Sequence, residues 1–594
     1  MTDDQTQRYD MNPAEPPTPT APPDGAPDEV AGPASTPAST PASTPAVAAT
    51  PAPGASKARW FVALGVAGVA IVAAIAALLV FSKPSTPEAL GYIPGDAAFV
   101  MEVRMDLPGD QMQSVGNLLA HFPGFQDQST LSQKIDLALS RLVASMPGSS
   151  VDYQTEVKPL ISGPMFIGVR SFEDVAAGGD PKNMVVVATT TGTVTCGTVF
   201  RNETPTVETY NGLQLSIGSA GETACAIDGR FFLVGDPAGV KGAIDAHKQG
   251  STLDKSARYQ AARTALGLDR LATMYLDGTS LAKALPAASA DVPLTDLAGA
   301  IPEWVMAGLR AENDAMLMDV VVAAAPTSTA GPSLRPYAPV HPLAITAFAP
   351  ADALVFVEAQ GAGVSLLNAI DQLKSNPELA EALKGLDTFG GIDGLVNWVD
   401  DIGVVVVRQG DDPAGGAILV AKDAASASEK VTALETVLGL GALGGDIEVT
   451  TSTVEGVKVT TVHIPDVGAL MGTAAGGGTV PLDLSLAVRD RFVIVGVGKD
   501  VMPKLLGVKA GASLAEDAAF KRALARGLAN PQVVMYVAAG ATIDWMETAA
   551  AALGGTTIPA DAKAYLDPLE GFIYTMAADG SQGRFRMGLT VATP

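Results

Sequence analysis

Two stretches of this chain repeat one another, and the repeat constrains the fold more than any other feature. YIPGDAAFVMEV at Tyr92–Val103 returns as FAPADALVFVEA at Phe348–Ala359, which aligns Pro94 with Pro350, Asp96 with Asp352 and Glu102 with Glu358. GRFFLVGDPAGVKGAIDA from Gly229 matches DRFVIVGVGKDVMPKLLG from Asp490 at a similar offset. That offset also carries TLDKSARYQAAR at Thr252 onto SLAEDAAFKRAL at Ser513, and MYLDG at Met274 onto MYVAA at Met535. Several blocks in one order at nearly one offset mark a duplicated domain. The copies are read as 90–325 and 345–594, joined by a Pro-rich linker at 326–344 that includes PTSTAGPSLRPYAPVHP.

Within each copy the hydrophobic period alternates between two and 3.6 residues. Ala97 to Arg104 alternates as a strand, and Val115, Leu118, Leu119 and Phe122 mark one face of an amphipathic helix. Leu131, Ile135, Leu139 and Leu142 mark another. Strands follow at 165–170, 184–190, 213–217, 224–227 and 231–235, the last two joined by an Asp228-Gly229 turn. Each copy closes on a hairpin, Val305–Ala311 with Met316–Ala323 and Phe572–Ala577 with Gly583–Ala592. Hairpins with helices between them predict a mainly antiparallel α+β domain rather than a doubly wound sheet.

Ahead of the first copy lies Trp60–Phe81, WFVALGVAGVAIVAAIAALLVF, without a charge or a proline. As a helix it covers about 33 Å, enough for a bilayer core, so it reads as a transmembrane helix. Lys57 and Arg59 before it against Lys83 after it place the N-terminus in the cytoplasm. Residues 1–56 are rich in Pro, Ala and Thr and acidic, include ASTPASTPASTP, and cannot bury enough surface to order themselves. The fold class expected is therefore α+β: a disordered cytoplasmic tail, one transmembrane helix at 60–81, a stalk at 82–91, and two tandem copies of an antiparallel α+β domain outside the membrane.

The net charge of −25 repels nucleic-acid phosphates, and no basic cluster reverses that locally. The two cysteines, Cys196 and Cys225, both fall in the exported part, where an even pair is commonly bonded. They are the candidate disulfide.

The Pro-x-Asp-Ala turn running into a strand that ends in Val-Glu opens both copies, and RMDLPGDQ and HFPGF follow it in the first. Together these resemble the membrane-anchored actinobacterial proteins catalogued as a domain of unknown function. The resemblance implies a Pro-rich tail, one span and an exported domain, with no activity or ligand attached. The second copy departs from it, reading QGAGVSLL from Gln360 in place of RMDLPGDQ.

Motifs for chemistry are weak. GLGALG at 439–444 has dinucleotide-loop spacing but follows a helical pattern rather than a strand. GVGKD at 496–500 lacks phosphate-loop spacing and reads as a strand-to-helix turn. His121, His247, His341 and His463 are far apart, and none has a partner at metal-ligand spacing, so no metal, cofactor or catalytic residue is assigned. Glu102 and its repeat Glu358 are the candidate polar site, for a cation or a sugar. The plainer reading has Glu102 facing solvent or pairing with Arg104, and Asp106 and Asp110 serving as turn and helix-cap residues.

The function expected is a non-catalytic, membrane-anchored extracytoplasmic binding or scaffold protein of the cell envelope. Its partner would be an envelope protein, a cell-wall component or a lipid. An exported hydrolase using paired carboxylates and a signalling protein acting through the Pro/Thr-rich tail are the alternatives.

Overall fold

The computed structural model describes residues 87–592 apart from several stretches, the longest being 141–151, 289–300, 324–339, 368–393 and 466–480. The tail at 1–56, the apolar segment at 60–81, Asp106 and most of the linker lie outside the described residues.

The first copy contributes β1 (Phe99–Val103), β2 (Met165–Val169), β3 (Met184–Thr189), β4 (Thr206–Tyr210), β5 (Leu213–Ile217), β6 (Ala224–Asp228), β7 (Phe231–Gly235), β8 (Ala272–Asp277), β9 (Trp304–Glu312) and β10 (Ala315–Ala323). The second contributes β11 (Val355–Ala359), β12 (Val399–Gln409), β13 (Asp412–Ala421), β14 (Glu448–Val454), β15 (Val457–Ile464), β16 (Leu482–Arg489), β17 (Phe492–Val497), β18 (Val533–Val537), β19 (Leu569–Asp579) and β20 (Gln582–Val591). Every pairing is antiparallel. Traced through its pairings, the sheet runs β4-β5-β6-β7-β3-β2-β1-β8-β9-β10 and continues β20-β19-β18-β11-β12-β13-β17-β16-β15-β14. Read from either edge, the order is the same.

This corrects the expected fold class. The copies do not follow one another as separate domains, because β10 pairs with β20 and makes one twenty-stranded sheet. The physical reason lies at the end of each copy. A nine-residue strand left at an edge would expose a row of unpaired backbone N–H and C=O groups, and the two edges satisfy each other. The transmembrane helix expected at 60–81 gains no support, since that segment falls outside the described residues and among those residues no helix is long and apolar enough to cross a membrane. The stalk expected at 82–91 also differs where it is described, since Glu88–Tyr92 is a 3-10 turn with Ala89, Leu90 and Tyr92 buried in the core of the first copy.

The helices are α1 (Gln111–Leu119), α2 (Pro237–Gln249), α3 (Ala257–Leu266), α4 (Gly278–Ala288), α5 (Ala424–Ala442), α6 (Val501–Leu506), α7 (Ala518–Arg526), α8 (Ala539–Ala552) and α9 (Ala560–Leu566). Local chemistry sets their ends. Asp236 caps α2 by accepting from the Ala238 and Gly239 N–H groups, Pro237 starts the first turn, and Gly250 closes it at φ 68°. One face of the sheet carries α2 and α3 in the first copy, packed through Val240, Ala243, Ile244, Tyr259 and Ala262 onto Val100, Phe166 and Leu233. On that same face α6 and α7 bury Val501, Leu505 and Phe520 against Phe356, Val405 and Ile418. The same isolated bridge recurs in both copies, Pro94 with Thr252 and Pro350 with Ser513.

The second face is covered in patches. α5 packs over Leu419, Val493 and Val495, the segment around Phe200 covers Cys225 and Phe232, and α1 covers Ala311 and Val591. GLGALG falls at the end of α5, whose last residue is Ala442; 443–446 lie outside the described residues. GVGKD bridges β17 and α6.

Candidate functional site

Between those patches the second face is apolar and open. Residues paired across antiparallel strands point to the same side. The register links Leu309 to Met318, Met318 to Met587, Met587 to Tyr574, Tyr574 to Met535, Met535 to Val357 and Val357 to Val404. This is one row across seven strands, two from the first copy and five from the second, and it crosses the junction between them. All seven side chains are at least partly exposed, Val404 by 40%. Met274 and Leu589 lie on the same face at 39% and 36%. At about 4.8 Å per strand the row spans about 29 Å.

The opposite face at the junction is charged. Asp319 of β10 is buried and accepts from Arg586 of β20 at 2.5 Å, while Arg310 and Arg270 reach its other oxygen at 3.2 and 3.1 Å. Arg526 at the end of α7 bonds Glu312 and Asp314 of the first copy's hairpin. An open pocket of about 560 Å³ lies beside these groups, and Asp110 and Gln111 of the RMDLPGDQ loop help to line it. Gln111 is held by two bonds to the Ala311 backbone, at 2.7 and 3.2 Å. Asp110 stands at the N-cap of α1 without a capping hydrogen bond.

The two candidate glutamates are not brought together. Glu102 sits in β1 and Glu358 in β11 with six strands between them, far beyond the roughly 5–10 Å that a pair of catalytic carboxyls needs. Neither faces solvent. Glu102 is buried, 3.6 Å from Arg104, and accepts from the Thr273 hydroxyl at 3.1 Å. Glu358 is wholly buried and accepts from the backbone N–H groups of Ala344 and Ile345 at 2.8 and 3.0 Å. Burial pushes its pKa up to about 7 against those two bonds, with the Asp401 charge adding to the rise.

Around Glu358 the fold assembles a polar cluster that sequence spacing does not announce. Gln360 pins the backbone of His341 with both ends of its amide, accepting from the N–H at 3.0 Å and donating to the C=O at 2.7 Å. The ring Nε2 then stands 3.1 Å from Oδ2 of the wholly buried Asp401, and Nδ1 stands 3.1 Å from the Pro342 carbonyl. Asp400 completes a group of three whose ligand atoms lie within 4.8 Å of one another. The bond to Pro342 and the charges of Asp401, Asp400 and Glu358 raise the His341 pKa, opposed by burial. Burial raises that of Asp401, opposed by the Gly361 N–H and by His341. One signal in the sequence does point here: Val399, Asp401, Gly403, Val405 and Val407 form the inward face of β12, so Asp401 is a charge at a core position.

Cys196 and Cys225 are bonded, tying the 3-10 turn Cys196–Thr198 to β6 beside Phe200 and Phe232.

Residues 58–591 match the model of a family described as a protein of unknown function, DUF3352. Among solved structures the chain is similar to crystal form I of TP0453, at 7% identity and a TM-score of 0.22, covering 41% of this chain and 81% of that one. Crystal form III of the same protein gives 10% identity, a TM-score of 0.22, and coverage of 41% and 82%. At such scores the likeness carries no argument about fold or function. No curated protein matches.

Proposed function

We propose that this chain, which belongs to the DUF3352 family, is a non-catalytic extracytoplasmic binding protein of the cell envelope whose ligand is a lipid acyl chain laid across the shared sheet face. The observation that carries the reading is the apolar row from Leu309 to Val404, continuous only because β10 and β20 join the copies. Its span of about 29 Å exceeds the roughly 15 Å depth of one leaflet's hydrocarbon, so an extended chain fits along it. Met318 and Met587 are neighbours in the row, Met535 follows beyond Tyr574, and unbranched thioether side chains adapt to flexible apolar ligands. The bonded cysteines support an oxidising compartment. The net charge of −25 favours a zwitterionic or neutral lipid over an anionic one.

The test is titration of the full chain with a fluorescent phosphatidylcholine analogue bearing a sixteen-carbon chain, then displacement by unlabelled phosphatidylcholine vesicles. Binding should weaken at least about tenfold in Met318→Asp and Met587→Asp, while the melting temperature of each stays near the parent value. A parent protein that binds neither probe, or charged variants that bind as well as the parent, overturns the reading.

A further inference from the structure

We infer that His341, Asp400 and Asp401 form a binding site for a divalent transition-metal ion of the zinc class, present in the second copy alone. The inference stands on the geometry of the cluster and does not require the lipid reading.

The first step is the histidine tautomer. A carbonyl can only accept, so the Pro342 oxygen 3.1 Å from Nδ1 places a ring proton on Nδ1, and in the neutral imidazole this leaves the Nε2 lone pair free. Nε2 stands 3.1 Å from Asp401 Oδ2 without the alignment of a hydrogen bond. Two electron-rich atoms at this distance need a cation between them.

The second observation is independent of the first. Asp401 is wholly buried, and its Oδ1 accepts from the Gly361 N–H at 2.9 Å, but Oδ2 has no hydrogen-bond donor. A buried carboxylate oxygen without a donor is costly, and this one is aimed into the cluster. Zinc bound by imidazole and carboxylate at about 2.0–2.2 Å in a tetrahedral array separates neighbouring ligand atoms by about 3.3 Å, close to the 3.1 Å between His341 and Asp401, with Asp400 within 4.8 Å of both. Mixed imidazole and carboxylate ligands suit zinc and its neighbours better than calcium or magnesium.

The supporting residues behave as the outer shell of such a site. Gln360 fixes the His341 backbone, Glu358 fixes the next turn through Ala344 and Ile345, and the Pro342 carbonyl fixes the ring. In the first copy the residue paired with Glu102 is Phe166, where Glu358 has Gly403, and two residues earlier stands Pro164 in place of Asp401. Among the described residues, this is the group of three that brings ligand atoms close enough to share an ion.

The competing occupant of the gap is a proton, which would make His341 and Asp401 a plain ion pair. The full chain, stripped with chelator and dialysed, is titrated with zinc by calorimetry and with cobalt by visible absorption. The expected result is one ion per chain, a melting temperature raised by zinc, and affinity at least about tenfold weaker in both His341→Ala and Asp401→Asn. Asp400→Asn, at a half-exposed position, gives a variant that should fold if Asp401→Asn does not, and it should weaken binding too. Absence of zinc and cobalt binding in the parent overturns the inference, as does binding that none of the three substitutions weakens.

Discussion

Asp319 and Arg586 hold the same place in the two copies, and they bond to each other. Each is the fifth residue of the last strand, counted from the hairpin turns at Glu312–Ala315 and Asp579–Gln582, and they are direct cross-strand partners. The sheet is thus built as a two-fold assembly of equivalent halves, with the pseudo-symmetry passing between a carboxylate and a guanidinium. Two identical chains would place a residue against its own copy there, with like charges opposed. A duplicated chain can place opposite charges.

The first prediction concerns this seam. Removing the carboxylate in Asp319→Ala leaves Arg270, Arg310 and Arg586 without their shared partner at a buried site. Breaking a buried ion pair from one side costs about 3–5 kcal/mol, so urea unfolding should show a loss of that order. Arg170→Ala, which removes a solvent-exposed pair with Asp96 at 2.7 Å, should cost at most about 1 kcal/mol.

Much of this architecture is legible in the sequence, for reasons that also explain what is not. The hairpin strands β6 and β7, β9 and β10, and β19 and β20 carry their own alternation and turn residues within a short window, and the repeat transfers them from one copy to the other. The union of β10 with β20 has no such local sign, because Met316–Ala323 alternates as any edge or central strand would and its partner lies far along the chain. β4 escapes notice because Thr206–Tyr210 is polar and largely exposed. The His341 cluster depends on a chain reversal that brings a loop residue onto the end of β12, and only the charge at an inward position of that strand hints at it.

Stability should fall as pH rises through the slightly acidic range, with Glu358 as a main source. Its carboxyl titrates near 4.5 in an unfolded chain and at about 7 in the fold. Below pH 4.5 both states hold the proton and the full stability is present. Between the two values the unfolded chain is ionised while the folded chain keeps its proton, so about 3 kcal/mol is lost by the time pH passes 7. The raised values of Asp401 and His341, which face Glu358, act in the same direction. Denaturant titrations in chelator from pH 4 to 8 should show a smaller fall in Glu358→Gln than in the parent; parallel curves would rule Glu358 out as the source.

Reduction should weaken the first copy. The Cys196–Cys225 bond closes a loop of 29 residues in sequence separation, which in the chain-entropy model contributes about 3–4 kcal/mol. Cys196→Ser and Cys225→Ser should each lower stability by that order without reductant, and dithiothreitol should bring the parent down to the level of the variants.

Gly403 links the candidate site to the packing beneath it. It lies directly opposite Glu358 in the sheet, and a Cβ there would meet Ile345 Cδ1 at 2.6 Å and the Val357 carbonyl oxygen at 2.7 Å. The absent side chain is what lets the turn at Ala344 and Ile345 settle onto β11 and donate its N–H groups to Glu358. Gly403→Ala must therefore move either Ile345 or the strand. Overpacking of this kind costs about 1–3 kcal/mol, and if Ile345 gives way, Glu358 loses its donors as well. The two effects share one contact, so Gly403→Ala combined with Glu358→Gln should cost less than the sum of the single changes by at least about 0.5 kcal/mol. Additive losses in a double-mutant cycle by urea unfolding would show that the turn does not move.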